Sequence, residues 1–321
     1  MNFLIIQTAF IGDVILATPV IEKLHQFYPD AKIDFLVRKG NEGLLQNHPF
    51  LNEVIVWDKK KNKIINLWNV IKKVRANEYY TVINLHRFAS SGIISLLSKA
   101  KSKIGFNKNP LSFFYSKGFK HDLESGKHEV ERNLLLITDL TDHLLVKPKL
   151  YPSNNDFQSI NKYMGQEYIC MAPTSVWYTK QFPLYKWVEL IKKVSATCTI
   201  YLLGAPSDKA FCNDLIEQAK AANIVNLAGQ LSFLESAALM QKADMNYVND
   251  SAPMHIASAM NAPVTAIYCS TIPAFGFGPL SDDSRIIETK INLACRPCGL
   301  HGHKKCPLGH FDCARTIEVE I

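Results

Sequence analysis

Asp250, Ser251 and Ala252 stand where a strand pattern, Met245 to Val248, gives way to a helical one, Met254 to Met260. Pro253 opens that helix, where proline loses no hydrogen bond that was available. Asp250 or Ser251 can cap the free amides, and the small side chains of Ser251 and Ala252 leave the N–H groups accessible. A helix start of this kind attracts phosphate, because free donors and the positive end of the helix dipole coincide there. An ordinary capped helix has the same pattern. A second cluster is the tail Cys295-x2-Cys298-x7-Cys306-x6-Cys313, with His301, His303 and His310 interspersed. Its spacing permits a tetrahedral zinc knuckle, with reduced thiols or disulfides that cap the tail as the favoured alternative.

The elements that position these residues alternate. Asn261-Ala262-Pro263 stops the helix and Val264 to Tyr268 reads as a buried strand, completing a β-loop-α-β unit of a parallel sheet. The chain opens the same way. Phe3 to Ile6 is an apolar strand, Gln7 to Asp13 a loop, and Val14 to Phe27 a helix. Pro19 predicts a kink there, or a helix that begins nearer Thr18. Asp13 can take a proton from a hydroxyl at the C-terminal edge of that first strand, or merely cap the helix. G-x-G-x-x-G is absent, so a dinucleotide fingerprint is not supported. Strands follow at Val54–Trp57, Tyr80–Leu85 and Lys103–Phe106, and helices near Ile64–Arg75, Ser90–Leu97 and His128–Leu140. Residues 107–130 show no period and are expected to form a mobile loop. Tyr151 to Asn155 marks a boundary, giving domains 1–152 and 153–321. The second domain has helices near Asp156–Met164, Trp187–Val194 and Glu235–Ala243, with strands at Tyr168–Ala172, Thr199–Leu203 and Ile224–Leu227.

At 321 residues there is room for two α/β domains, and 47% apolar with 20% charged residues is a globular composition. No apolar run reaches membrane-spanning length, and no basic segment precedes the first strand, so a cytosolic protein is expected. Cys170, Cys198, Cys212 and Cys269 lie singly in apolar contexts and read as core thiols. Residues 1–150 carry 22 Lys+Arg and 14 Asp+Glu, net +8, while residues 151–321 carry 14 and 15, net −1. A basic half suggests an anionic partner, although solvated faces account for most single lysines. With no nucleic-acid motif present, an acidic glycolipid ranks above nucleic acid.

Asp250-Ser251-Ala252-Pro253-Met254-His255 resembles the D-[ST]-G-[PL]-x-H signature of the family 9 glycosyltransferases, which include the ADP-heptose:lipopolysaccharide heptosyltransferases. Gly12-Asp13-Val14 resembles the family's I-G-D-[VI] motif, whose Asp is the proposed general base. Lys180-Gln181-Phe182-Pro183 resembles its K-x-[WY]-P loop. Gly204 to Asp208 and Gly229 to Ser232 resemble two further turns. Gln7, Ala252 and Ile272 depart from the usual residues.

The resemblance implies an α/β chain of GT-B fold, two Rossmann-like domains with parallel sheets facing across a central cleft. The N-terminal domain would bind the acceptor, and the C-terminal domain, with its Cys-rich tail, the nucleotide-sugar. It implies an inverting transfer of heptose from ADP-heptose to an inner-core sugar of lipopolysaccharide. Asp13 would be the base and Lys180 would hold the leaving diphosphate. Donor contacts are expected at Thr174, Asp208 (to the ribose), Gly229, Asp250, Ser251, Ala252, His255 and Thr271. Acceptor contacts are expected at Thr8, Gly12, His86 and Arg87. No metal and no cofactor beyond the ADP-sugar substrate are expected. The partners would be the nucleotide-sugar, an acidic glycolipid and the inner face of the inner membrane, held peripherally from the cytoplasm. The alternatives are a transferase for another nucleotide-sugar, an epimerase of the same fold, or a non-catalytic nucleotide- or glycan-binding relative. The three departures favour the last; retention of Asp13 and Lys180 opposes it.

Overall fold

The computed structural model describes residues 1–195 and 198–319. Its internal contacts divide the chain into two units, Met1–Tyr151 and Pro152–Ile321. Unit 1 runs β1 (Asn2–Ile6), α1 (Ile11–Ile15), α2 (Thr18–Phe27), β2 (Lys32–Arg38), β3 (Glu53–Trp57), α3 (Lys63–Ala76), β4 (Thr81–Asn84), α4 (Ala89–Leu97), β5 (Ser102–Phe106), β6 (Lys117–Phe119) and α5 (Glu129–Leu135). Among the described residues its six strands form one sheet in the order β3-β2-β1-β4-β5-β6. Every pairing is parallel. Consecutive residues of β1, Phe3 to Ile6, are all fully buried, as a strand covered on both faces must be.

Unit 2 runs α6 (Asn154–Ile160), β7 (Tyr168–Ala172), α7 (Leu184–Val194), β8 (Thr199–Leu202), α8 (Lys209–Ala219), β9 (Ile224–Asn226), α9 (Phe233–Lys242), β10 (Met245–Asn249), α10 (Ala252–Ala259), β11 (Val264–Tyr268), β12 (Ser284–Glu288) and α11 (Asp312–Arg315). Its strand order is β12-β11-β10-β7-β8-β9, again all parallel. Counted from the first strand of each unit, both sheets have the doubly wound order 3-2-1-4-5-6. The order reverses between β1 and β4 in unit 1 and between β7 and β10 in unit 2. Register brings the loops there side by side: Ile6 pairs with Asn84, and Val248 with Ala172.

Several sequence expectations need correction. The helix over 14–27 is broken: α1 ends at Ile15 and α2 begins at Thr18, with Pro19 in its first turn. Side chains take up the groups the break exposes. Thr18 Oγ1 donates to Ile15 O at 2.8 Å, and Asn133 Nδ2 donates to Leu16 O at 3.1 Å. Gly12 and Asp13 therefore lie inside a short helix and not in a loop. Residues 107–130 hold the edge strand β6, which at three residues is too short to show a period. α5 stops at Leu135 rather than Leu140. No element was expected at α8, whose buried residues are only Cys212, Leu215 and Ala219, nor at β12 or α11.

Candidate active site

In unit 2 the loop leaving β7 carries Lys180, and the turn leaving β10 carries Asp250. Their charged groups meet: Lys180 Nζ is 2.7 Å from Asp250 Oδ2. Thr271, beyond β11, donates its hydroxyl to the same oxygen at 2.6 Å. Asp250 is thus engaged by a cation and a hydroxyl, and it does not cap α10. Ser251 is the N-cap residue but makes no side-chain cap bond, its hydroxyl donating instead to Asn249 O at 3.3 Å. Among the described residues neither the Ser251 nor the Ala252 amide has a protein acceptor. A cation and two free amides therefore sit at the switch point of this sheet, an arrangement that holds a phosphate group.

The Lys180 loop is pinned from beneath by residues that the motifs did not point to. Asn249, fully buried at the end of β10, accepts from Phe182 N at 2.9 Å and donates to Thr174 O at 3.3 Å. Thr179 accepts from Ser270 Oγ at 3.0 Å and from His303 N at 2.7 Å. Arg296 donates to Cys269 O and Thr271 O, both at 2.8 Å. The cysteine-rich tail therefore braces the loop that aims Lys180. Its composition was the available signal, and the sequence left zinc, reduced thiols and disulfides open without pointing to a brace on Lys180. The cysteines are free thiols, and among the described residues no three His, Cys, Asp or Glu side chains are grouped as a metal site. Cys295 Sγ lies 3.8 Å from His310 Nε2.

Asp208 and Gly229 form a separate cluster past β8 and β9. Asp208 Oδ2 accepts from Ala205 N at 2.8 Å, and Gly229 N donates to Gly204 O at 2.9 Å. Gly229 has φ +75°, and a Cβ there would meet Pro206 Cα at 2.7 Å. Among the described hydrogen bonds none joins this cluster to Lys180. His255 is buried within α10.

In unit 1 the corresponding edge holds Thr8 and Asp13 after β1 and His86 after β4. Lys59, beyond β3, donates from Nζ to Thr8 O and to Thr8 Oγ1, each at 2.9 Å. The same Thr8 hydroxyl lies 3.2 Å from His86 Nδ1, within hydrogen-bond distance. Burial first, then the charges of Lys59 and Arg87, push the His86 pKa down to about 3, so the ring is neutral at ordinary pH. Burial, with Arg38 and Lys63 nearby, lowers Lys59 to about 8. Arg87 is exposed and lies over the Phe88 ring, 5.2 Å from its centroid. A cavity of about 520 Å³ opens beside this edge, lined by Trp57, Lys59, Lys63, Phe88 and the start of α4.

Two features of Asp13 bear on its expected roles. Its Oδ2 accepts from Phe10 N at 3.0 Å, which starts α1, so it is a cap. Its pKa is also raised to about 6, mainly by burial and then by the charge of Glu129, against the opposing Phe10 bond and Arg38. A carboxylate so poised is ionised at neutral pH and still basic enough to accept a hydroxyl proton. Glu129 is held ionised by His121 at 3.0 Å and Arg132 at 2.7 Å.

Residues 67–309 match the sequence profile of glycosyltransferase family 9 (heptosyltransferase). The chain belongs to glycosyltransferase family 9. Lipopolysaccharide heptosyltransferase 3 of Escherichia coli is 32% identical, with 82% of each chain covered. Lipopolysaccharide heptosyltransferase 1 of Campylobacter coli is 26% identical across 100% of this chain and 96% of its own. The solved structure of E. coli ADP-heptose lps heptosyltransferase II superposes with a TM-score of 0.79 at 23% identity, covering 91% of this chain and 92% of that one. The paired parallel sheets of this family 9 glycosyltransferase are thus a GT-B fold. The Lys180–Asp250–Thr271 cluster lies at a sheet switch point in a glycosyltransferase, with a cation close to two free amides.

Proposed function

We propose that this family 9 glycosyltransferase moves a heptose from ADP-heptose to an inner-core sugar of lipopolysaccharide, with inversion. Unit 2 binds the nucleotide-sugar and unit 1 the acceptor. The observation that carries this is the Lys180–Asp250–Thr271 cluster beside the free amides of Ser251 and Ala252. The names of the relatives above supply the sugar and the acceptor.

The acceptor hydroxyl oxygen attacks the anomeric carbon of the donor. As that C–O bond forms, the bond from the carbon to the β-phosphate oxygen breaks and ADP departs. The hydroxyl proton passes to the Asp13 carboxylate. Lys180 and the two amides oppose the charge that grows on the diphosphate, aided by the dipole of α10. Thr174, Asp208, Gly229 and His255 complete the donor site, while Thr8, Gly12, His86 and Arg87 face the acceptor. Lys180 supplies the charge a metal would otherwise bring, so the reaction uses no metal or other cofactor. The chain works in the cytoplasm, on the inner face of the inner membrane, where its acidic glycolipid acceptor is presented. Attachment there is peripheral; among the described residues no helix is long and apolar enough to cross a membrane.

The test is to incubate the purified chain with ADP-heptose and a lipid A–Kdo acceptor, following ADP release and the glycolipid mass, with EDTA present and absent. ADP release matched by an added heptose, unchanged by EDTA, is expected. Tight ADP binding without transfer makes the chain a binding relative; transfer only from another nucleotide-sugar displaces the donor assignment.

A further inference from the structure

α3 buries Val70, Ile71 and Val74 in the unit 1 core. Its first two turns also carry large apolar side chains in solvent: Ile64 is 73% exposed, Ile65 61% and Trp68 54%. These three lie within one turn of each other, at i, i+1 and i+4, and so form a single outward patch. An outward face of a surface helix is ordinarily polar, and three large apolar side chains together on one mark a contact surface.

The charge around the patch selects its occupant. Lys60 and Lys61 precede the helix, and Lys72 follows Trp68 one turn on; all three are exposed. Among the described residues none of their ammonium groups has an acidic partner. Asp58 holds the lysine loop in shape from behind, accepting from Lys60 N at 2.9 Å and Lys61 N at 3.2 Å while its other oxygen takes Lys39 Nζ at 3.0 Å. From Lys59 to Ala76 the sequence has no Asp or Glu. Apolar side chains framed only by cations suit a surface that is greasy within and anionic at its boundary, which is the edge of an acidic bilayer. The patch also starts at the C-terminal edge of the sheet. Lys63, the first residue of α3, lines the cavity shared with Lys59 and Phe88 beside the Thr8–His86 pair.

We propose that Ile64, Ile65 and Trp68 dip into the interface of an anionic bilayer, with Lys60, Lys61 and Lys72 at headgroup level, and that this immersion sets the acceptor edge of unit 1 at the height of a lipid-borne sugar. It rests on the reading that the acceptor is a membrane glycolipid, and it adds the surface and the mode of attachment.

The full chain is mixed with phosphatidylcholine vesicles with and without phosphatidylglycerol, and Trp68 emission is taken as the difference between the parent and Trp68→Phe. A blue shift on the anionic vesicles, quenched by brominated acyl chains, is expected. Ile64→Ser/Ile65→Ser should lower partitioning by about 10- to 100-fold, roughly half the worth of two fully buried side chains. It should keep the parent's rate on a water-soluble, de-acylated acceptor while losing rate on the same sugar in vesicles. Unshifted Trp68 emission, or a double variant that partitions like the parent, overturns the proposal. So does a dimer in sedimentation equilibrium that the double variant abolishes, which would give the face to a second copy. Insertion is read without transfer. A parent that inserts but fails to glycosylate the de-acylated acceptor supports the face and counts against the proposed reaction instead.

Discussion

Lys180 Nζ lies 2.7 Å from Asp250 Oδ2, and the oxygen it meets is also the one that accepts the Thr271 hydroxyl. The carboxylate holds the ammonium at the start of α10, beside the two free amides. In the proposed reaction the leaving diphosphate gains charge in the transition state, and a cation already in place there needs no reorganisation. Lys180→Ala should lower kcat on the order of 10²-fold or more, with a smaller change in the donor's KM. Thr271→Val, which removes one hydrogen bond to the orienting carboxylate, should cost roughly tenfold. Steady-state kinetics with varied donor decide this; a near-normal kcat with only KM raised would make Lys180 a uniform binder.

Asp13→Asn separates base from cap. Asn keeps the acceptor for Phe10 N but cannot take a proton. Transfer should fall by roughly 10²- to 10⁴-fold. Stability should move the other way. With its pKa raised to about 6, folded Asp13 holds a proton that the unfolded chain has already released, so its stabilising contribution is present at about pH 4 and lost as pH rises through 6. At pH 8 the variant should therefore unfold about 1–3 kcal/mol later than the parent, with the gap closing toward pH 4. In the parent, kcat/KM should climb with pH to a plateau above about 6. Urea melts at pH 4 and pH 8, and a pH–rate profile, check both; an active variant would end the general-base role.

Gly302 is where the tail touches the Lys180 loop. At φ +72°, a Cβ on it would lie 2.8 Å from Thr179 Oγ1 and 3.1 Å from Lys180 Cγ. Gly309 has a similar φ of +77° with nothing within 4 Å of its Cβ position. Alanine at either site should cost on the order of 1 kcal/mol of stability through backbone strain. Only Gly302→Ala should also lower kcat, by about tenfold, because it displaces the stem of Lys180. Equal kinetics for the two variants would show that the tail does not set the lysine's position.

Lys60 and Lys61 should contribute by charge alone. Replacing both with Gln should weaken association with anionic vesicles by about 1 kcal/mol per charge at most, and less as salt rises. Vesicle sedimentation at low and high ionic strength reads this. Binding that is unchanged at low salt would return both lysines to an ordinary solvated surface.

Lys59 shows why its neighbours in the run cannot be treated alike with it. All of these lysines look the same in the sequence, yet only Lys59 turns inward, onto Thr8. Which residue of a charged run points into a site depends on the strand it follows and on what lies on the next strand, and neither is written locally.

Local pattern determined most of the elements by itself. Val264–Tyr268 and Tyr168–Ala172 fall where their apolar runs placed them, because a strand buried on both faces has to be continuously apolar. The start of α10 and the break before Thr18 were announced by their prolines. The motifs at Asp13, Lys180 and Asp250 marked the residues to which the proposed reaction assigns chemistry. What the sequence left open was who meets whom. Lys180 and Asp250, or Thr8 and His86, become neighbours only once the strand order reverses between β7 and β10 and between β1 and β4. The same holds for Asp13, a cap by local pattern, whose raised pKa comes from burial and from Glu129 on a distant helix. Caps and strands are short-range properties of a chain; ion pairs, proton affinities and the brace that the tail places on Lys180 depend on distances that sheet topology alone decides.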